Sequence, residues 1–322
     1  MPHLYTILLA ILFMPALLWG ESKYRMAQES CGLSFIVKNK LILVQGEAGD
    51  EAGYFLFDTG ASELVLNKRY FGRQRGYESD HQYTDVHGHR GQHGYVFVSH
   101  FQWGGLERDH FYTPRLDLSP LEAMLGERII GIIGYDVLRN VETVVDYYTG
   151  SMQLFRIDEI PFPSADGRQP DFIIPFQLDG HLPVIRGAAG EAGKLRLGVD
   201  SGASVNLFEI RLRDKLAGKA LQQRTIPLLG AGGGEKRTPY FVMENLQVED
   251  AYFIHYSRVA LSDLAMLRNF GFQVDGLIGV NFFRLGRVSI NYRSRCFRVW
   301  LGQNDYTMRL QLVNPMKMMS LE

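Results

Sequence analysis

"FLFDTGAS", residues 55–62, runs Phe55, Leu56 and Phe57 into Asp58 and then turns through Thr59-Gly60. A carboxylate seldom closes an apolar strand unless something stabilises it or uses it. A lone aspartate in that place is ordinarily a turn residue that bonds its own backbone. The pattern returns, however, as "LGVDSGAS" at residues 197–204, with Asp200 followed by Ser201-Gly202. Two copies require a common explanation.

Working outward, the surroundings are also written twice. "FIVKNKLILVQGEAGDEAGYFLFDTGAS" starts at Phe35 and "FIIPFQLDGHLPVIRGAAGEAGKLRLGVDSGAS" at Phe172. Each reads as strand, strand, Gly-rich hairpin turn, strand, then the aspartate turn. Neither Gly-rich turn matches a phosphate-binding loop or leads into a helix. Farther on, "GIIGYDVL" (131–138) answers "GLIGVNFF" (276–283). The spacing from Asp58 to Gly134 is 76 residues, and from Asp200 to Gly279 it is 79. A short helical segment and a strand pair are expected after each glycine. Other helices are expected only near Pro120–Gly126, Ile210–Leu221 and Leu261–Arg268. The expected architecture is mostly β, in two similar lobes with few short helices. Residues 31–160 form the N-terminal lobe, 161–170 a Pro-rich linker, 171–305 the C-terminal lobe and 306–322 a tail.

Composition fits this architecture. The chain has 322 residues, 46% hydrophobic and 21% charged, which disfavours disorder. A net charge of −1 predicts no nucleic-acid partner. Leu4 to Trp19 is almost wholly apolar and ends at Glu21, Lys23 and Arg25. It has the length of a signal-peptide core and is short for a membrane span. Residues 1–20 therefore read as a signal peptide or membrane anchor, and export to a periplasmic, secreted or membrane-tethered location is expected. The segment from Glu21 to Ser30 is too short for a substantial inhibitory propeptide, which suggests control by location or substrate access.

If the two lobes pair about a pseudo-twofold axis, Asp58 and Asp200 meet on it. Two carboxyls about 3 Å apart cannot both ionise easily, so they share a proton. The ionised member then takes a proton from water while the protonated member hydrogen-bonds a substrate carbonyl. The two sites titrate as a pair, so neither aspartate is assigned a role separately.

With these residues in order, the chain resembles the pepsin/retropepsin group of aspartic peptidases, as two retropepsin-like lobes fused in one chain, over roughly Phe35 to Trp300. The carrying motifs are Asp58-Thr59-Gly60-Ala61-Ser62, Asp200-Ser201-Gly202-Ala203-Ser204, Ile132-Ile133-Gly134 and Leu277-Ile278-Gly279. The resemblance implies an all-β fold of two pseudo-twofold-related, retropepsin-like β-barrel lobes with a cleft between them, and an aspartic-type endopeptidase with Asp58 and Asp200 as the catalytic pair. It also implies that Thr59 and Ser201 lock the turns across the axis, and that Gly60 and Gly202 permit the tight loops. Ser62 and Ser204 would bond the outer carboxylate oxygens. Mobile flaps are implied at Val86–Phe97, with Gly88, Gly91 and Gly94, and at Leu228–Arg237, with Gly230, Gly232 and Gly233. It implies a peptide or protein substrate, no cofactor and activity as a monomer. Chain ends pair between the lobes in this group, so Cys31 and Cys296 are either a disulfide or two buried thiols.

Two other readings remain. His81, His87, His89, His93, His100 and His110 crowd one stretch, and His-x-His can be a metal-ligand pair. Without paired cysteines or a His-Glu-x-x-His helix, exposed imidazoles on a flap are expected and no metal site is assigned. A non-catalytic peptide-binding module on the same scaffold is the alternative function. A serine or cysteine protease is disfavoured, since no Gly-x-Ser-x-Gly elbow occurs.

Overall fold

A computed structural model describes residues 24–85, 90–157, 168–217, 224–229, 235–249 and 252–301, together with the two-residue pieces 6–7 and 11–12. The fold is all-β with two lobes and includes a closed six-stranded barrel.

Each lobe is organised around its aspartate turn in the same way. In the first, strand Glu51–Phe57 leads into the turn and strand Val65–Asn67 leaves it. Strand Ile129–Ile133 slots between these two arms, parallel to the first and antiparallel to the second. In the second lobe, Gly276–Ile278 slots in the same sense between Gly193–Val199 and Asn206–Glu209. These strands are covered on both faces, so they read as unbroken apolar runs rather than alternating ones. Alternation survives in which core each side chain enters: Phe55 and Phe57 enter the main core, Leu56 the opposite one. That opposite core is duplicated too. Leu41, Leu43, Ala61, Val65 and Ile132 in the first lobe answer Leu182, Val184, Ala203, Leu207 and Leu277 in the second. Where the first lobe has Leu56, the second has Gly198; a Cβ there would lie 2.6 Å from Leu182 and 2.8 Å from Leu277. The glycine is therefore required by its own neighbours.

The lobes are joined by a sheet to which each half contributes three strands. Its order is Ser30–Lys38, Ser151–Arg156, Val141–Asp146, Gly286–Asn291, Cys296–Leu301 and Phe172–Pro175. At the seam, Thr143 pairs with Ile290 and Val145 with Val288. A buried ion pair crosses it. The Glu142 carboxylate accepts from Ser289 Oγ (2.7 Å), Asn291 Nδ2 (2.8 Å) and the Arg298 guanidinium, all from the other half. The main hydrophobic core also draws residues from both lobes, from Phe57 to Phe283.

This sheet decides between the two readings of the cysteines. Cys31 lies inside the first strand of the order and Cys296 in the fifth, and both are free thiols. Four strand steps of about 4.8 Å put them roughly 19 Å apart, against the limit of about 7 Å between bridged Cα atoms. The helices are short. Ser119–Leu125 falls where expected. Around Ile210 there is one 3₁₀ turn and a helix, Arg213–Ala217. The third helix is Ala265–Asn269, since Leu261 and Ser262 still belong to strand Tyr252–Ser262. Most of the linker and the tail beyond 301 lie outside the described residues.

Candidate active site

The two aspartate turns meet between the lobes and are cross-braced. Thr59 Oγ1 donates to Val199 O (2.8 Å) and accepts from Ser201 N (2.9 Å). Ser201 Oγ donates to Phe57 O (2.8 Å) and accepts from Thr59 N (3.0 Å). Both hydroxyls are fully buried, and each uses its donor and an acceptor lone pair, so neither adds a desolvation penalty.

This brace presses each turn onto the other lobe's carboxyl. A Cβ on Gly60 would lie 2.6 Å from Asp200 Cγ, and one on Gly202 would lie 2.5 Å from Asp58 Cγ. No other residue fits either position. Gly134 and Gly279 serve the same closeness from behind. A Cβ there would meet Glu63 O at 2.5 Å and Ala203 O at 2.3 Å respectively.

Asp58 and Asp200 are fully buried. Asp58 Oδ1 accepts from Gly60 N (2.8 Å) and Ala61 N (3.2 Å), and Asp200 Oδ1 accepts from Gly202 N (2.9 Å). The second oxygen of each carboxyl has no donor from outside the pair among the described residues, and the two carboxyls interact with each other. Burial raises both groups above the ordinary carboxylate range; for Asp58 the neighbouring Asp200 charge adds to it. The pair therefore retains a proton into a pH range where free aspartates have lost theirs. Tyr292 lies within electrostatic reach of both, and its buried hydroxyl has no hydrogen-bond partner among the described residues.

Of the two supporting serines, Ser62 differs from expectation. Ser62 Oγ is buried without a hydrogen-bond partner among the described residues. It is the Ser62 backbone that is held, its carbonyl accepting from Asp136 N (3.2 Å). Ser204 is buried beside its own turn at 2% exposure.

The flap expectations divide. Gly88 lies outside the described residues, as do Gly230, Gly232 and Gly233. Gly91 and Gly94 fall within strand Arg90–Trp103, paired to Gly76–Asp85, rather than at a hairpin tip. Gly94 is there because a Cβ would meet Arg115 Nε at 2.9 Å. The second hairpin consists of Arg224–Leu229 and Glu235–Val248. Both hairpins accept a further strand: Thr6–Ile7 runs parallel to the second and Ile11–Leu12 antiparallel to the first.

Of the crowded histidines, His81, His87 and His89 have side chains outside the described set. His93 packs edge-on to Tyr95, and His100 Nδ1 pairs with Asp109 Oδ1 at 2.6 Å. Among the described residues no three potential ligands converge. No helix there is long and apolar enough to cross a membrane.

The lobes are not chemically equal around the dyad. The first lobe places Glu63, Asp136 and Arg108 where the repeat gives the second Val205, Asn281 and Ile254. Asp136 accepts from Leu64 N (2.7 Å) and Tyr24 Oη (3.3 Å). Burial pushes Asp136 up to about 6 and Glu63 up to about 8, the latter with help from the Asp136 charge. Another departure from symmetry is His181, which reaches the first lobe's turn. Motif reading missed Glu63, Asp136, Tyr292 and His181; aligning the two repeats position by position exposes Glu63, Asp136 and His181 as mismatches, whereas Tyr292 aligns with Tyr147 and leaves no such signal.

Compared with known proteins, the sequence matches no protein-family model. No curated protein matches it significantly either.

Proposed function

We propose that this chain is an aspartic-type endopeptidase of the pepsin/retropepsin kind, hydrolysing peptide bonds with a water activated between Asp58 and Asp200. The observation that carries the proposal is the cross-braced pair of buried carboxyls, each with one oxygen held by its own turn and one left for a ligand. Such a pair holds one proton between two carboxyls. The ionised carboxyl removes a proton from the water as its oxygen bonds the peptide carbonyl carbon. The protonated carboxyl donates to the carbonyl oxygen, giving a neutral tetrahedral diol. A proton then passes to the amide nitrogen, the C–N bond breaks, and the dyad returns to its starting protonation. The raised pKa values of the pair keep this singly protonated form available from acid toward neutral pH.

Strand pairing along both hairpins supports an extended peptide as substrate, since main-chain hydrogen bonds at strand edges bind backbone of any sequence. The same edges would serve a non-catalytic peptide-binding module, and hydrolysis separates the two readings. Both carboxyls come from one chain, so the reading requires no second subunit. It takes the Leu4–Trp19 run as an export signal or tether.

The test is cleavage of a diverse peptide mixture from acid to neutral pH by wild type, Asp58→Asn and Asp200→Asn. Cleavage by wild type that both substitutions abolish, with melting intact, is expected. Binding without cleavage at any pH would favour the peptide-binding module, and cleavage that survives either substitution would refute the dyad.

A further inference from the structure

His181 is a buried side chain that the chemistry above does not use. It stands at the hairpin turn of the second lobe, just before Leu182, yet its Nε2 lies 2.9 Å from Gly60 O in the first lobe's aspartate turn. A carbonyl only accepts, so Nε2 carries the proton and donates. The Gly60 carbonyl belongs to the same peptide unit as Ala61 N–H, which donates to Asp58 Oδ1 at 3.2 Å. The chain of donors thus runs from imidazole, through one peptide plane, to a dyad carboxylate. Charge drawn toward the oxygen of an amide makes its N–H a stronger donor. The peptide is also pinned where Gly60 presses on Asp200.

The corresponding residue of the first lobe is Lys40, just before Leu41. Its backbone carbonyl accepts from Tyr147 Oη (3.0 Å), and its side chain makes no hydrogen bond to Gly202. The relay therefore exists on one side of the axis only.

We propose that His181 is a positioning residue for the dyad, aligning and polarising the Gly60–Ala61 peptide so that the singly ionised carboxyl pair is stabilised from the Asp58 side. The inference rests on the peptidase reading only for its catalytic consequence. The groups around His181 are few. Phe272 meets its ring edge-on at 5.3 Å, and Tyr135, beneath the Arg139 guanidinium, lies at 6.5 Å. Tyr292 packs edge-on against Tyr135 at 5.1 Å. Asp179, ion-paired to Arg196, is the acid whose charge acts on it. Burial holds the imidazole down to about 4, so it is neutral above that pH.

His181→Phe keeps an aromatic ring beside Phe272 and removes the donor; His181→Gln retains an N–H at the reach of Nε2. Two readouts are taken on wild type and both variants, with thermal melting to establish folding. One is the titration of the Asp58 and Asp200 carboxyl carbons by ¹³C NMR, which needs no activity. The other is the acid limb of the kcat/KM profile on a cleaved peptide. The expected result is an upward shift of the lower dyad titration by about half a pH unit in His181→Phe, a roughly threefold change in proton affinity. The acid limb should move by the same amount, kcat should fall with KM little changed, and His181→Gln should recover toward wild type. If His181→Phe does not fold, His181→Met replaces it. Carboxyl titrations identical in the folded variants and wild type would overturn the proposal. A shifted titration in a protein that cleaves no peptide would leave the role of His181 standing and remove the peptidase reading.

Discussion

Asp136→Asn should make this protein more stable at neutral pH, and the amount follows from the structure. Asp136 sits in the first turn after Gly134, with Oδ1 accepting from Leu64 N (2.7 Å) and Oδ2 from Tyr24 Oη (3.3 Å). Burial dominates over these bonds and raises the carboxyl from 3.8 to about 6. Between those two values the folded protein keeps a proton that the unfolded chain has released. More protons bound in the folded state means that stability falls as pH rises through that window. Two pKa units correspond to about 3 kcal/mol, and because the side chain retains some solvent contact the expected loss is about 1–3 kcal/mol. Asparagine has the same shape, keeps an acceptor for Leu64 N and titrates in neither state; Tyr24 Oη need only change from donor to acceptor. The second lobe already carries Asn281 at this position. Urea unfolding followed by tryptophan fluorescence at pH 3.5, 5.5 and 7.5 measures the effect. The variant should gain about 1–3 kcal/mol over wild type at pH 7.5 and nothing at pH 3.5. Glu63, held at about 8 in part by the Asp136 charge, should titrate lower in the variant. A variant whose difference from wild type is the same at pH 3.5 and 7.5 would refute the reasoning, because it would mean the buried carboxylate costs nothing.

Three further outcomes are expected. Asp58→Asn and Asp200→Asn should each reduce peptide cleavage by about a hundredfold to ten-thousandfold, measured as kcat on a defined peptide, and neither should lower the melting temperature at pH 7. Thr59→Val removes one donor and one acceptor from the brace, leaving Ser201 N and Val199 O without their partner; it should cost about 2–4 kcal/mol in urea unfolding. In a double-mutant cycle with Ser201→Ala, losses that simply add would argue against a shared brace. Glu142→Gln removes the negative charge paired with the Arg298 guanidinium in the seam between the lobes and should cost about 3–5 kcal/mol in urea unfolding.

Sequence by itself determined the parts of this protein that depend on neighbours along the chain. An aspartate bonds the amides two and three residues on, so Asp58 and Asp200 announce their turns wherever they occur. Gly134 and Gly279 are legible because a strand that passes against a turn leaves no room for a side chain. The duplication of these features, with apolar runs between them, was enough for an all-β molecule of two similar lobes. Contacts across the axis were decided only by the tertiary structure, because they join residues 121 to 142 apart whose meeting depends on how two whole lobes dock. Cys31 and Cys296 looked like neighbours as members of terminal strands, yet strand order put three others between them. Ser62 looked like a carboxylate partner from its place in the motif, yet the fold engages its carbonyl and leaves its hydroxyl unbonded among the described residues. His181 and Glu142 carry no motif at all. Their importance comes from burial beside charge and from hydrogen bonds to the opposite half, and a linear sequence records neither.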